Sequence, residues 1–158
     1  MKKSGTLTQA IYEYYFENRP AKKDNGLKKQ FDSVVKIIEK LIEAGVAPEE
    51  VRAILAHGFG HCNDVEPLNV LEKSLFTVDE LTGIIQACAR MRPKGITDLE
   101  IKSFMKKFKD KKFAAKCDRA LVLKGCEMLG MDVKDVAAIC IDGMREHAEE
   151  IGLLGTEA

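Results

Sequence analysis

The chain has 158 residues, of which 46% are hydrophobic, and 25 lysines and arginines balance 25 aspartates and glutamates. A formal charge of zero gives no global pull toward nucleic acid or an acidic surface, although local asymmetry remains open. No apolar run approaches the roughly 20 residues of a membrane span, and no apolar signal core follows the basic start Met1-Lys2-Lys3, so a soluble, cytoplasmic protein without membrane contact is expected.

Residues Leu7 to Glu17 form the first predicted helix, ended by Asn18-Arg19-Pro20 because proline cannot continue it. A long amphipathic helix is expected over Leu27 to Ala44, where Leu27, Phe31, Val34, Val35, Ile38, Leu41 and Ile42 recur at helical spacing. Gly45 suits the left-handed turn at its end. Pro48 then opens a short helix to His57, with Glu49 and Glu50 at its positive end. Gly58 to Glu66 reads as a loop. Pro67 opens a helix to Arg90 through Leu68, Leu71, Leu75, Val78, Leu81, Ile84 and Ile85. Arg92-Pro93-Lys94-Gly95 is a turn, and Thr97-Asp98-Leu99-Glu100 has the pattern of a capping box for a helix over Asp98 to Lys107. Asp118 starts a helix that ends at Gly130, and Asp132 or Lys134 starts a last one that ends near Gly152. No strand-period alternation and no internal repeat stands out. The fold class is therefore all-α, a compact bundle of about six or seven helices.

The five cysteines, Cys62, Cys88, Cys117, Cys126 and Cys140, are odd in number and form no C-x-x-C pair. In a reducing compartment they read as thiols. Cys88 and Cys140 lie in apolar helical stretches, where cysteine behaves as a small hydrophobe.

Asp79-Glu80-Leu81-Thr82-Gly83, then Arg92-Pro93-Lys94, Ile101-Lys102-Ser103 and the run Lys106 to Ala114 occur in that order. Upstream lie Ala44-Gly45-Val46-Ala47-Pro48-Glu49-Glu50-Val51 and Ala53-Ile54-Leu55-Ala56-His57. Together these segments resemble one branch of the HD-type metal-dependent phosphohydrolases over about residues 25 to 152. The resemblance implies a single HD-like domain, with residues 1–24 as a divergent N-terminal helix and loop and 25–152 as the family-like region. Such enzymes gather a first His, a consecutive His-Asp pair and a distant Asp around divalent metal, which activates a water for attack on a phosphoester. By this resemblance Asp79 takes the place of the last Asp, and His57 matches a further histidine that some members carry. The three histidines here are followed by Gly58, Cys62 and Ala148, so no His-Asp pair exists. Asn25-Gly26 stands where relatives carry His-Gly. One carboxylate cannot hold a catalytic ion alone, and Asp79 is read as a vestige of the catalytic position.

His57-x-x-x-His61, with Cys62 and Asp64 nearby and Asp79 on the next helix, is the one ligand-rich stretch. A rebuilt site with His57, His61 and Asp79 as ligands for one divalent transition metal is set against a capped helix end and a polar loop with no cofactor. Cys62 with His57 or His61 as base is a further reading. Asp79 and Glu80 are adjacent, so their side chains diverge by about 100° and one is expected inside, the other in solvent. Lys102 to Lys116 holds seven lysines and one aspartate around Phe104, Phe108 and Phe113. Lys106, Lys107 and Lys109 are candidate anion-binding residues, for instance for a small phosphate-containing ligand. The competing reading is a solvated face whose phenylalanines enter the core, and the acidic remainder of the chain argues against nucleic acid. His147, near the end of the last helix, is expected to favour the dipole there. Trimming of the HD-like core leaves apolar surface to cover, by the first helix or by a second copy, and a homodimer is expected. The function this supports is a degenerate, non-hydrolysing binding module. The alternative is a metal-dependent phosphohydrolase with the rebuilt site.

Overall fold

The computed structural model describes residues 36–61 and 63–157. The expected helix over Leu7 to Glu17, most of the Leu27 to Ala44 helix, and Cys62 lie outside the described residues. Within them the protein is all-helical. Six helical segments occur: residues 36–43 (α1), Pro48–Ala56 (α2), Val70–Arg90 (α3), Ile101–Lys109 (α4), Arg119–Leu129 (α5) and Val133–Glu146 (α6). Among the described residues the only strand-like features are two isolated bridges, Phe59 with Asn63 and Gly95 with Leu154. The described residues fall into two compact units, divided between Glu72 and Lys73.

In the first unit Val51, Leu55 and Ala56 of α2 are buried with Ile38 and Val65, and Leu41, Ile42 and Val46 pack against them. Pro48 stands in the first turn of α2, with Glu49 and Glu50 at the positive end of the helix. Among the described residues this unit buries one carboxylate. Glu72 is only 1% exposed, and its carboxylate accepts from the Arg52 guanidinium. It also accepts from the Leu68 N–H at 2.7 Å and the Asn69 amide at 2.8 Å. Asn69 Oδ1 in turn accepts from the Glu72 N–H at 3.0 Å. This reciprocal Asn-x-x-Glu arrangement caps the start of α3. It explains why α3 begins at Val70 and not at Pro67. It also turns Glu72 inward in the first turn, so Leu68 and Leu71, expected on the apolar stripe, are exposed.

The second unit is built around α3, α4, α5 and α6. Leu81, Ile84, Ile85, Cys88 and Ala89 recur at helical spacing on α3 and are buried. They share a core with Phe104 and Phe108 of α4, Val122 and Cys126 of α5, and Val136, Ala137 and Ile141 of α6. Asp118 and Asp132 cap α5 and α6 by accepting from Ala120 N–H at 2.8 Å and Lys134 N–H at 2.7 Å. Gly130 closes α5 in the left-handed conformation, with φ of 66°. The Thr97–Glu100 capping box does not form. Thr97 donates instead to the Lys94 carbonyl, and Asp98 pairs with Arg92 at 2.8 and 2.9 Å. Glu100 is left as a cap without a side-chain bond, and α4 starts at Ile101. The last helix stops at Glu146, short of Gly152, and turns follow. The end of the chain returns to the Arg92 turn, where the Ile96 N–H donates to the Leu153 carbonyl at 3.0 Å and Leu153 is buried.

Two glycines on the helices of this unit are expected to respond in opposite ways to alanine. A Cβ on Gly125 of α5 would stand 2.2 Å from Thr77 Oγ1 and 2.9 Å from the Thr77 backbone of α3. Gly143 of α6 is exposed and has nothing within 4 Å of that position. Alanine gains up to about 1 kcal/mol of helix propensity over glycine, and overpacking costs about 1–3 kcal/mol. Thermal melts should therefore show Gly143→Ala raising and Gly125→Ala lowering the midpoint.

The Glu72 carboxyl responds to pH. Burial pushes its pKa up, but the Arg52 guanidinium and the N–H groups at the start of α3 outweigh this and hold it below the usual glutamate value. A carboxyl lowered by folding contributes stability that is complete above its unfolded value and is lost as pH falls through its folded value. Breaking one side of such a buried pair costs about 3 kcal/mol. In urea titrations followed by circular dichroism, Glu72→Gln should lose about that much at pH near 7, and the gap to the wild type should narrow in acid, below about pH 4.

Candidate functional site

His57 and His61 belong to the first unit and Asp79 to the second. All three are exposed. His57 closes α2. Its backbone N–H donates to the Ala53 carbonyl, and its ring Nδ1 meets the Ile54 carbonyl. The loop beyond it is pinned by Asn63, whose amide donates to the Leu55 carbonyl at 2.8 Å while its Oδ1 accepts from the Val65 N–H at 2.8 Å. Asp64 is exposed. Among the described residues no group of three or more His, Cys, Asp or Glu side chains is placed to hold a metal ion.

Asp79 and Glu80 diverge as their adjacency on a helix requires. Asp79 faces solvent, while Glu80 is half-buried and accepts from the Asp118 N–H at 3.1 Å. Glu80 thus ties α3 to the start of α5. It stands beside the Cys117 thiol, whose pKa is pushed up by burial and then by Glu80 and Asp79. Cys88, Cys126 and Cys140 are also pushed up by burial, Cys140 to about 11. These four are free thiols, and raised pKa values leave little of the reactive thiolate at neutral pH.

The lysine-rich stretch has the most elaborate local structure of the second unit. Phe104 and Phe108 are buried, with ring centroids 6.0 Å apart. Lys106, Lys107 and Lys109 form the last turn of α4, and Lys111, Lys112 and Lys116 continue in the loop before α5. All six are exposed. Cations at a helix C-terminus meet its negative end, a modest stabilisation. Lys107 Nζ also lies 5.0 Å from the centre of the Phe113 ring. Among the described residues none of the six is in an ion pair.

Arg119, the first residue of α5, holds this loop. Its Nε donates to the Phe108 carbonyl at 2.7 Å, and its Nη1 donates to Ala114 at 3.3 Å and Cys117 at 3.4 Å. Its Nη2 donates to Asp110 at 3.2 Å and to Phe113. A guanidinium has five N–H groups, and here each has a carbonyl. The guanidinium also lies 5.8 Å from the centre of the Phe108 ring. Ala114, left-handed with φ of 45°, is kept in that costly conformation by a loop whose carbonyls are held on both sides of it. The sequence does carry a signal for Arg119. An arginine immediately after a capping aspartate sits at the positive end of its helix, where a cation is unfavourable unless something else binds it.

At the other end of α4 a cleft of about 570 Å³ is lined by Asp98, Glu100, Lys102, Asp142, Arg145 and apolar neighbours. Arg145 pairs with Asp142 at 2.6 Å and donates to the Leu99 carbonyl at 3.0 Å, while its Nε has no partner. His147, at the end of α6, is exposed, with Nδ1 3.2 Å from a Glu150 oxygen. No described helix is long and apolar enough to cross a membrane.

No family model, no curated protein and no solved structure matches this chain.

Proposed function

We propose that this chain is a cytoplasmic, homodimeric binding module that is related to the HD-type phosphohydrolases but no longer hydrolyses, and that it engages an anionic group through Lys106, Lys107 and Lys109. The observation that carries this reading is the junction of α4 with the Arg119-held loop, where the last helical turn and the loop together present six exposed lysines. Holding a loop in place before binding removes an ordering cost that a flexible basic tail would meet on association. Lysine is a compact point charge with rotatable donors, suited to carboxylate or phosphate without a fixed fork geometry.

The HD relationship rests on the sequence segments around Asp79 and Lys106 to Ala114. Hydrolysis by that chemistry needs several ligands on one ion. Asp79 in solvent and His57 engaged with its own helix end support the reading without it.

Metal analysis and a phosphatase assay on the purified protein separate this from a rebuilt site at His57, His61 and Asp79. The expected result, after incubation with manganese, iron, nickel or zinc and desalting, is no stoichiometric metal and no turnover of a generic phosphomonoester. Near-stoichiometric metal with turnover that Asp79→Ala abolishes, at unchanged melting temperature, would establish the hydrolase instead.

A further inference from the structure

Charge is distributed unevenly along α4 of the second unit, with Arg92 and Lys102 among the carboxylates at its start and Glu80 and Asp118 beside the lysines at its end. Lys106 to Lys116 supplies six lysines and one aspartate at the end of that helix. Asp142 to Glu157 supplies five carboxylates, Asp142, Glu146, Glu149, Glu150 and Glu157, against Arg145 and His147. All five are exposed. The Arg145 bond to the Leu99 carbonyl fixes this acidic segment at the beginning of α4. The helix has nine residues, so about 13 Å of axis lies between its two ends at 1.5 Å per residue. That spacing is too long for ion pairing along the helix, and the lysines are in fact unpaired among the described residues.

Resting on the reading that the lysine surface takes an anionic partner, we infer that this partner is the acidic end of a second copy of the same chain. A chain of zero net charge attracts a distant polyanion weakly, since its own acidic end cancels the field beyond a Debye length of about 8 Å. A unit with opposite charges at its two ends attracts its own kind. Under two-fold symmetry each copy offers its lysines to the carboxylates of the other, so two identical contacts close the assembly. A nucleic-acid strand would want exposed rings for its bases. Phe104 and Phe108 are buried and Lys107 lies over Phe113, so lysine amines are what this surface presents. Exposed ion pairs are individually weak. The association therefore has a dissociation constant on the order of 100 μM at physiological salt and gains its specificity from charge pattern.

Sedimentation equilibrium of the full chain tests this. The expected result is a dimer at about 50 mM salt whose dissociation constant rises at least about tenfold by about 300 mM. Two charge-reversed variants, Lys106→Glu/Lys109→Glu/Lys112→Glu and Glu146→Lys/Glu149→Lys/Glu150→Lys, should each sediment as monomers with unchanged helical signal. Mixed in equal amounts, they should form a heterodimer, because each then presents what the other lacks. A dimer insensitive to salt, or one that survives either reversal, overturns the inference and leaves the homodimer to an apolar face. A monomer under all conditions also overturns it. In that case retention of the parent chain, but not of the lysine variant, on immobilised heparin would leave the anionic-partner reading standing, and no retention would remove both.

Discussion

A single guanidinium organises the most distinctive part of this protein. The loop between α4 and α5 packs Phe113, Ala114 and Cys117 against the core, and six lysines in and beside it repel one another. Arg119 holds the backbone there in one shape by collecting the carbonyls of Phe108, Asp110, Phe113, Ala114 and Cys117 on its five N–H groups. The planar fork suits this task, whereas a lysine would offer three donors around one point. No carboxylate is needed, because carbonyl dipoles pointing at a cation supply the compensating negative potential. The exposed lysines, the left-handed Ala114 and the stacking of Lys107 on Phe113 are all consequences of where those carbonyls are held.

The first unit uses the mirror image of this device. Glu72 is a buried anion that collects donors, from the Arg52 side chain, the Leu68 N–H and the Asn69 amide. A buried charge costs several kcal/mol unless its hydrogen-bonding capacity is filled. Here Leu68 and Asn69 lie at a helix start, where unpaired N–H groups and the positive end of the dipole already favour an anion. In both units a charged side chain fixes the backbone where a helix meets a loop, and the apolar residues then pack on either side of a defined junction.

Much of the helical pattern is legible in the sequence, because it follows from apolar spacing and end signals. Pro48, Asp118, Gly130 and Asp132 mark real boundaries, and Phe104 and Phe108 at i, i+4 spacing enter the core as their period implies. The two misjudged helix starts share one cause. Thr97 and Glu100 match a capping box in letters, but Arg92 draws Asp98 into a pair twice bonded to it, and Thr97 folds back on Lys94. Asn69 and Glu72 form the real box two to five residues beyond the proline that looks like the start. Such competition among polar partners depends on tertiary placement, and a linear pattern does not contain it. The same holds for the candidate site. The divergence of Asp79 and Glu80 follows from helix geometry, whereas the five carbonyls around Arg119 come from the end of α4 and from a loop whose shape no periodicity encodes. An arginine in the first turn of a helix is the one linear trace of it.

The most direct test of this account is the nitrogen-proton spectrum of the arginine side chains, with the Arg119 resonances assigned by loss in Arg119→Lys. An Arg119 guanidinium with its N–H protons engaged by five carbonyls should give Nε–H and resolved Nη–H signals that exchange slowly with water near neutral pH. Arg119 signals that are averaged and exchange as fast as those of a solvated arginine would contradict it, and with it the fixed lysine surface on which the functional reading rests.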